Sequence, residues 1–167
     1  MRITKVITAG NIYVCAQWRV VWDGNIMPNT LYPSTAWKAG YSDLGSFEAA
    51  ESHIMLYAAS SENTGAHAYA YLPVDMTNCK TLNVYGRATQ TGSYYCGVRV
   101  WVQPTVPDPN VVWEMGNAGL YTWSSNSAMA WTSLDVSSLS GIHYVCIAKW
   151  HWPGYIYIED MYFDLLQ

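Results

Sequence analysis

The residues best placed to do chemistry in this 167-residue chain are aromatic rather than catalytic. Lys149-Trp150-His151-Trp152-Pro153-Gly154-Tyr155 gathers three large amphipathic rings at what reads as a hairpin tip. An exposed Trp at a tip costs solubility unless a partner covers it, which makes Trp150, Trp152 and Tyr155 candidate binding residues. The competing expectation is a minicore folded back onto the domain. A second candidate comes from two alternating runs, Thr81–Thr89 and Tyr94–Gln103. Joined by a three-residue loop, Gln90-Thr91-Gly92, they would put Leu82, Val84, Ala88, Cys96, Val98, Val100 and Val102 on one face. The other face would then cluster Tyr85, Arg87, Tyr95, Arg99 and Trp101. Such a surface can stack on sugar rings and bond hydroxyls, or serve as a protomer interface or cation–π ladder.

No catalytic constellation accompanies these rings. The chain has no nucleophile elbow, no His-Glu-x-x-His and no phosphate-cradling Gly-rich loop. Glycoside hydrolysis needs two opposed carboxylates, and most of the 12 acids sit at turn or strand-end positions such as Asp75, Asp108 and Asp135. His53, His67 and His143 lie in or beside strand runs, where a hydrogen-bonded structural role is expected. Cys15, Cys79, Cys96 and Cys146 are far apart and lack zinc-ligand spacing. They read as thiols, with one disulfide left open. In the last run Ile156 and Ile158 share one parity and Met161, Phe163 and Leu165 the other, which requires a β-bulge near Glu159–Asp160. Two carboxylates there could hold a structural calcium with nearby carbonyls; the alternative is an edge whose acids discourage further pairing. No other cofactor is expected.

Composition sets the elements that must carry these groups. Apolar residues make up 51% and charged residues 12%, with 9 Trp, 14 Tyr and only 2 Phe. That excludes a disordered chain and a coiled coil. A net charge of -4 with scattered Lys and Arg argues against nucleic-acid binding. No segment approaches the ~18 apolar residues of a membrane span. Period-two runs recur at Ile3–Thr8, Ile12–Trp22, Ser52–Ala58, Ala66–Leu72, Thr81–Thr89, Tyr94–Gln103, Val111–Met115, Leu120–Trp123, Ala128–Val136, Ile142–Trp150 and Tyr155–Leu165. Without intervening helical patterns, they predict an all-β protein: an antiparallel β-sandwich, a jelly roll of about ten strands. One domain spans 1–167, with an irregular insertion at about 23–51 that contains Tyr32, Trp37, Tyr41 and a single helical turn capped by Ser46. Pro104, Pro107 and Pro109 mark a second irregular stretch.

Two segments share one grammar. In Leu72-Pro73-Val74-Asp75-Met76-Thr77-Asn78 and Leu134-Asp135-Val136-Ser137-Ser138-Leu139-Ser140-Gly141, a strand ends in an apolar residue, then come Asp, an apolar residue and Thr or Ser. The Asp side chain can bond a backbone amide two residues on and hold a tight turn before the chain crosses over. PVDMTNCKTLNVYG, TSLDVSSLSGIHYVCIAKW and YIYIEDMYFDLL resemble recurrent segments of galactose-binding-like and carbohydrate-binding-module-like jelly rolls, which are often found in bacteriophage tail, fibre and head-decoration proteins. The resemblance implies a β-sandwich that binds glycans on a sheet or at loop tips, often with a structural calcium. It transfers no ligand residue.

A surface rich in Tyr, Trp, Ser, Gly and Asn and poor in charge suits rigid aromatic contacts. Together with the resemblance and an N-terminus lacking an export signal, this favours a non-enzymatic virion component, a decoration, head-fibre or tail-associated subunit. It would be made in the host cytoplasm and released by lysis, docking on other virion proteins and forming a homo-oligomer. The alternative is a stand-alone carbohydrate-binding module or lectin that meets cell-surface glycans outside the cell.

Overall fold

The computed structural model describes residues 4–8, 11–15, 18–23, 37–41, 45–49, 53–58, 67–90, 97–108, 128–150 and 153–166. Twelve strands and no helix lie among them: β1 (Thr4–Thr8), β2 (Asn11–Cys15), β3 (Trp18–Asp23), β4 (Lys38–Tyr41), β5 (Gly45–Ala49), β6 (Ile54–Ala58), β7 (His67–Asp75), β8 (Cys79–Gln90), β9 (Gly97–Gln103), β10 (Ala130–Asp135), β11 (Ile142–Trp150) and β12 (Gly154–Leu165). One sheet runs β10-β8-β12-β6-β5, with β3 also paired to β12; the other runs β4-β7-β11-β9. β1 and β2 form a separate antiparallel pair. Every pairing is antiparallel, and the protein is the β-sandwich jelly roll that its alternating runs predict.

The core lies between the two sheets because each strand turns one parity inward. Ile54, Leu56, Leu82, Val84, Ile156, Ile158, Met161 and Phe163 come from the larger sheet, and Leu72, Val74, Val100, Val145 and Ile147 from the smaller. The bulge is present: Ile158 opposes Gly86 and Asp160 opposes Tyr85, so Glu159 is the extra residue. It keeps Met161 and Phe163 inward after Ile158. Without it the final six residues would turn their apolar set to water.

The twin Asp turns are two of the points where the chain crosses between sheets, from β7 to β8 and from β10 to β11. Asp75 Oδ1 accepts from the Thr77 amide and Asp135 Oδ1 from the Ser137 amide, each at 2.9 Å. In each turn the next residue's carbonyl accepts from three positions on, Met76 from Cys79 and Val136 from Leu139. The turns are also bonded together, since Met76 N donates to Gly141 O and Gly141 N donates to Thr77 Oγ1. Asn78 and Gly141 take left-handed conformations, at φ 64° and 71°, that Asn and Gly tolerate best.

Three expectations need correction. Thr81–Thr89 and Tyr94–Gln103 are not hairpin partners, because β8 pairs with β10 and β12 whereas β9 pairs with β11 in the other sheet. Inward parity is the same for a hairpin and for two strands facing each other across a core, so alternation could not separate the cases. Likewise the aromatic segment 149–155 joins β11 of one sheet to β12 of the other and is not a hairpin tip. The 23–51 stretch is not wholly irregular, since it supplies β4 and β5, with Ser46 in a strand rather than capping a helical turn. Both are edge strands of four and five residues, too short and too rich in Gly and Ala to show an alternating pattern. Trp37 is buried in the core beside β4. The runs at 111–115 and 120–123, and Tyr32 and Pro109, lie outside the described residues.

Candidate glycan-binding face

The outward parity of the six-stranded sheet assembles a band of rings. On β12, Ile156 and Ile158 point inward and Tyr155 and Tyr157 outward, their rings stacked at 5.7 Å. Tyr57 of β6 opposes Tyr155 in register, and their rings meet at 4.6 Å. Arg87 of β8 opposes Tyr157 and lays its guanidinium 5.2 Å from the ring centroid. His53 lies 5.7 Å from Tyr157 on the other side. Two residues before Arg87 on the same face, Tyr85 packs at 5.0 Å on Trp131 of β10. Trp131 meets Tyr162 edge-on at 5.3 Å. The band crosses four neighbouring strands, and from Thr89 opposite Tyr155 to Asn83 opposite Tyr162 it runs roughly 20 Å along β8. The tyrosines are half-buried, and Trp131 is 50% exposed.

A polar chain closes the Trp131 end. Ser133 Oγ donates to Asn83 Oδ1 at 2.6 Å, and Asn83 Nδ2 donates to Asp164 Oδ2 at 3.0 Å. Burial, then the charges of Asp164 and Asp160, push the Tyr162 phenol above its usual range. Apolar ring faces framed by a guanidinium, an amide, a hydroxyl and carboxylates suit a ligand that is flat and apolar on its faces and hydroxylated at its rim.

The smaller sheet carries its own outward rings. Tyr69 and Tyr71 stack at 6.4 Å, and Tyr71 meets Tyr144 at 5.9 Å. Cys146 and Ala148 lie between them and β9, opposite Trp101 and Arg99 respectively. This cluster is buried: Trp101 is 1% exposed and Tyr69 9%. The Trp101 indole N–H donates to Gln103 Oε1 at 2.7 Å, and Gln103 Nε2 donates to Thr105 O at 2.8 Å. Burial, then the charges of Tyr71 and Asp108, push the Tyr69 phenol above its usual range, and Pro107 is buried. Burial pushes the Cys146 thiol far above its usual range. The Cys79 and Cys146 thiols donate to the carbonyls of Asp75 and Tyr144, at 3.7 and 3.4 Å, and neither is in a disulfide.

Of the five residues expected on one face, Tyr85 and Arg87 therefore lie on the larger sheet and Arg99 and Trp101 on the smaller. Tyr95 lies outside the described residues. Of the other three, Tyr155 joins Tyr85 and Arg87, while the Trp150 side chain and Trp152 lie outside the described residues. Tyr57, Trp131, Tyr157 and Tyr162 were not singled out by sequence reasoning. Parity could have placed Tyr157 outward opposite Ile156 and Ile158, but only the strand order brings Trp131 beside Tyr85. Glu159 is exposed and Asp160 half-buried at the bulge, and no group of three metal-ligating side chains occurs among the described residues.

No family model matches the chain, and no curated protein does. Solved structures do. One is a family 11 carbohydrate-binding module from Clostridium thermocellum in complex with a β-1,3-1,4-mixed-linked tetrasaccharide. It is 6% identical over 89% of this chain and 96% of that one, with a TM-score of 0.54. A variant of a family 29 carbohydrate-binding module made to probe ligand recognition is 10% identical over 87% and 83%, with a TM-score of 0.52. A further family 29 module is 9% identical over 87% and 86%, at 0.50. What is shared is the fold. At these identities no residue role transfers.

Proposed function

We propose that the protein is a non-catalytic carbohydrate-binding module that takes a glycan chain across the outer face of its six-stranded sheet. The observation that carries this is one outward sheet face that holds two ring clusters, Tyr57, Tyr155 and Tyr157 with Arg87, and Tyr85, Trp131 and Tyr162, with Trp131 50% exposed. Rings spread over four strands favour a chain of sugars over a single one. The fold neighbours are named as carbohydrate-binding modules, which favours binding over turnover. The virion role expected from composition draws no support from these neighbours, so glycan binding becomes the leading reading.

Affinity electrophoresis of the full chain through gels containing soluble neutral polysaccharides tests this. Retardation by at least one polymer is expected, with Tyr155→Ala abolishing most of it while leaving the thermal midpoint nearly unchanged. No retardation in any gel, with no signal on a glycan array, would sink the reading.

A further inference from the structure

We propose that Ser133 and Asp164, positioned by Asn83, form the specificity-determining corner of this face: an acceptor-only group that reads hydroxyl protons and turns away carboxylated or sulfated glycans. The inference rests on the glycan-binding reading above.

Hydrogen-bond logic leads to it. A carboxylate can only accept, so the Asn83 amide must turn its NH2 toward Asp164. That orientation aims its carbonyl at Ser133, and an oxygen meeting an oxygen needs the Ser133 hydroxyl to donate. The 3.0 and 2.6 Å separations fit this single arrangement. With its one proton committed to Asn83, exposed Ser133 offers its surroundings only lone pairs. Asp164 likewise offers only lone pairs and a negative charge.

Their position makes this chemistry relevant to a bound chain. Ser133 lies two residues from Trp131 on the outward face of β10, and Asn83 lies between Ser133 and Tyr162 in register. A sugar resting on the Trp131–Tyr162 corner would hold its rim hydroxyls against these acceptors. A hydroxyl can donate to them; a carboxylate or sulfate has no proton to give and meets like charge from Asp164 and Asp160. Asn83 is 8% exposed, too buried to contact a ligand itself, and is a positioning residue. The opposite end of the band, at Tyr57 and Tyr155, offers ring faces and bears on affinity without this selectivity.

The test pairs a neutral polysaccharide that the protein binds with the same polymer oxidised to a polyuronate, compared by calorimetry at low salt. Oxidation is expected to weaken wild-type binding about tenfold or more, and Asp164→Asn to narrow the gap to about threefold. Asn83→Leu should lower affinity for the neutral polymer and reduce discrimination, with Asn83→Gln restoring part of both. Tyr155→Ala should weaken both polymers by one common factor. Loss of fold alone would not move the ratio between polymers. Equal wild-type binding of the two polymers, or equal weakening of both by Asp164→Asn, overturns the corner alone. Failure of every neutral polymer to bind overturns the glycan reading and the corner with it.

Discussion

On the six-stranded sheet the outward rings are half-buried, and Trp131 is 50% exposed; on the four-stranded sheet Trp101 is 1% exposed and Tyr69 9%. Both faces arise in the same way, from aromatic residues placed at outward parity against aliphatic residues facing in. The faces differ in how deeply their rings are buried. On the smaller sheet the rings close around Cys146 and Ala148, and the chain leaving β9 carries buried Pro107 and the Asp108 charge that reaches Tyr69. On the larger sheet the rings stack or tilt against one another along the outward face, and Trp131 stays 50% exposed. Aromatic content is thus divided between a second small core and a surface. Composition alone counts both alike.

That division is sharpest at two tryptophans. Trp101→Ala empties a buried site and should cost about 3–5 kcal/mol of folding stability, read as a lower urea midpoint. Among molecules that remain folded, affinity for a bound polysaccharide should be unchanged. Trp131→Ala should cost about 1 kcal/mol or less of stability, from ring contacts with Tyr85 and Tyr162. It should reduce glycan affinity about tenfold or more, as truncation of an exposed Trp anchor does. If Trp101→Ala lowered affinity as much as Trp131→Ala with no loss of stability, the assignment of the two faces would be reversed.

A smaller effect tests how the covered face is closed. Gly40 of β4 opposes Tyr69, and a Cβ at residue 40 would lie 2.6 Å from Tyr69 Cε1, well inside van der Waals separation. Tyr69 is 9% exposed and stacks on Tyr71, so its ring must shift to admit the methyl. Gly40→Ala should therefore cost about 1–3 kcal/mol. The penalty should largely vanish in a Tyr69→Ala background, because the clash is with that ring. A penalty of equal size in both backgrounds would place its cause in the backbone of the edge strand instead.

What could be read in advance follows the range of the interaction. The bulge at Glu159 and the twin Asp turns depend on a few consecutive residues, and each was legible from parity or turn chemistry. The sandwich was legible too, because every core strand alternates. Partner choice was not. β8 and β9 carry matching inward sets, and nothing local distinguishes a hairpin from two strands meeting across the core. Tyr85 and Arg87 were therefore grouped with Arg99 and Trp101, which lie on the opposite side of the molecule. Edge strands β4 and β5 escaped because one neighbour and a short length relax the alternation that reveals a strand. The site was partly legible for the same reason: Tyr85, Arg87 and Tyr155 are outward by parity, but their neighbours Trp131 and Tyr57 arrive from strands distant in sequence.

The two faces are joined by the Asp turns, and the smallest effect concerns that junction. Hydrogen bonds from the Ser137 amide and hydroxyl, aided by Lys80, hold the Asp135 carboxyl below its usual range. Its unfolded value is about 3.9, so its contribution to stability is whole above that pH and is lost as pH falls through the lower folded value. Asp135 is on the surface, so the change is small. Asp135→Asn keeps a carbonyl acceptor for the Ser137 amide but cannot titrate. The melting temperature of wild type should thus fall more steeply than that of Asp135→Asn between about pH 4 and pH 2. The other carboxylates titrate in both proteins, so the difference in slope isolates this turn. Parallel slopes would mean that the turn is held by its backbone bonds, Met76 to Gly141 and Leu139 to Val136, and that the charge at Asp135 does not help to hold the two sheets in register.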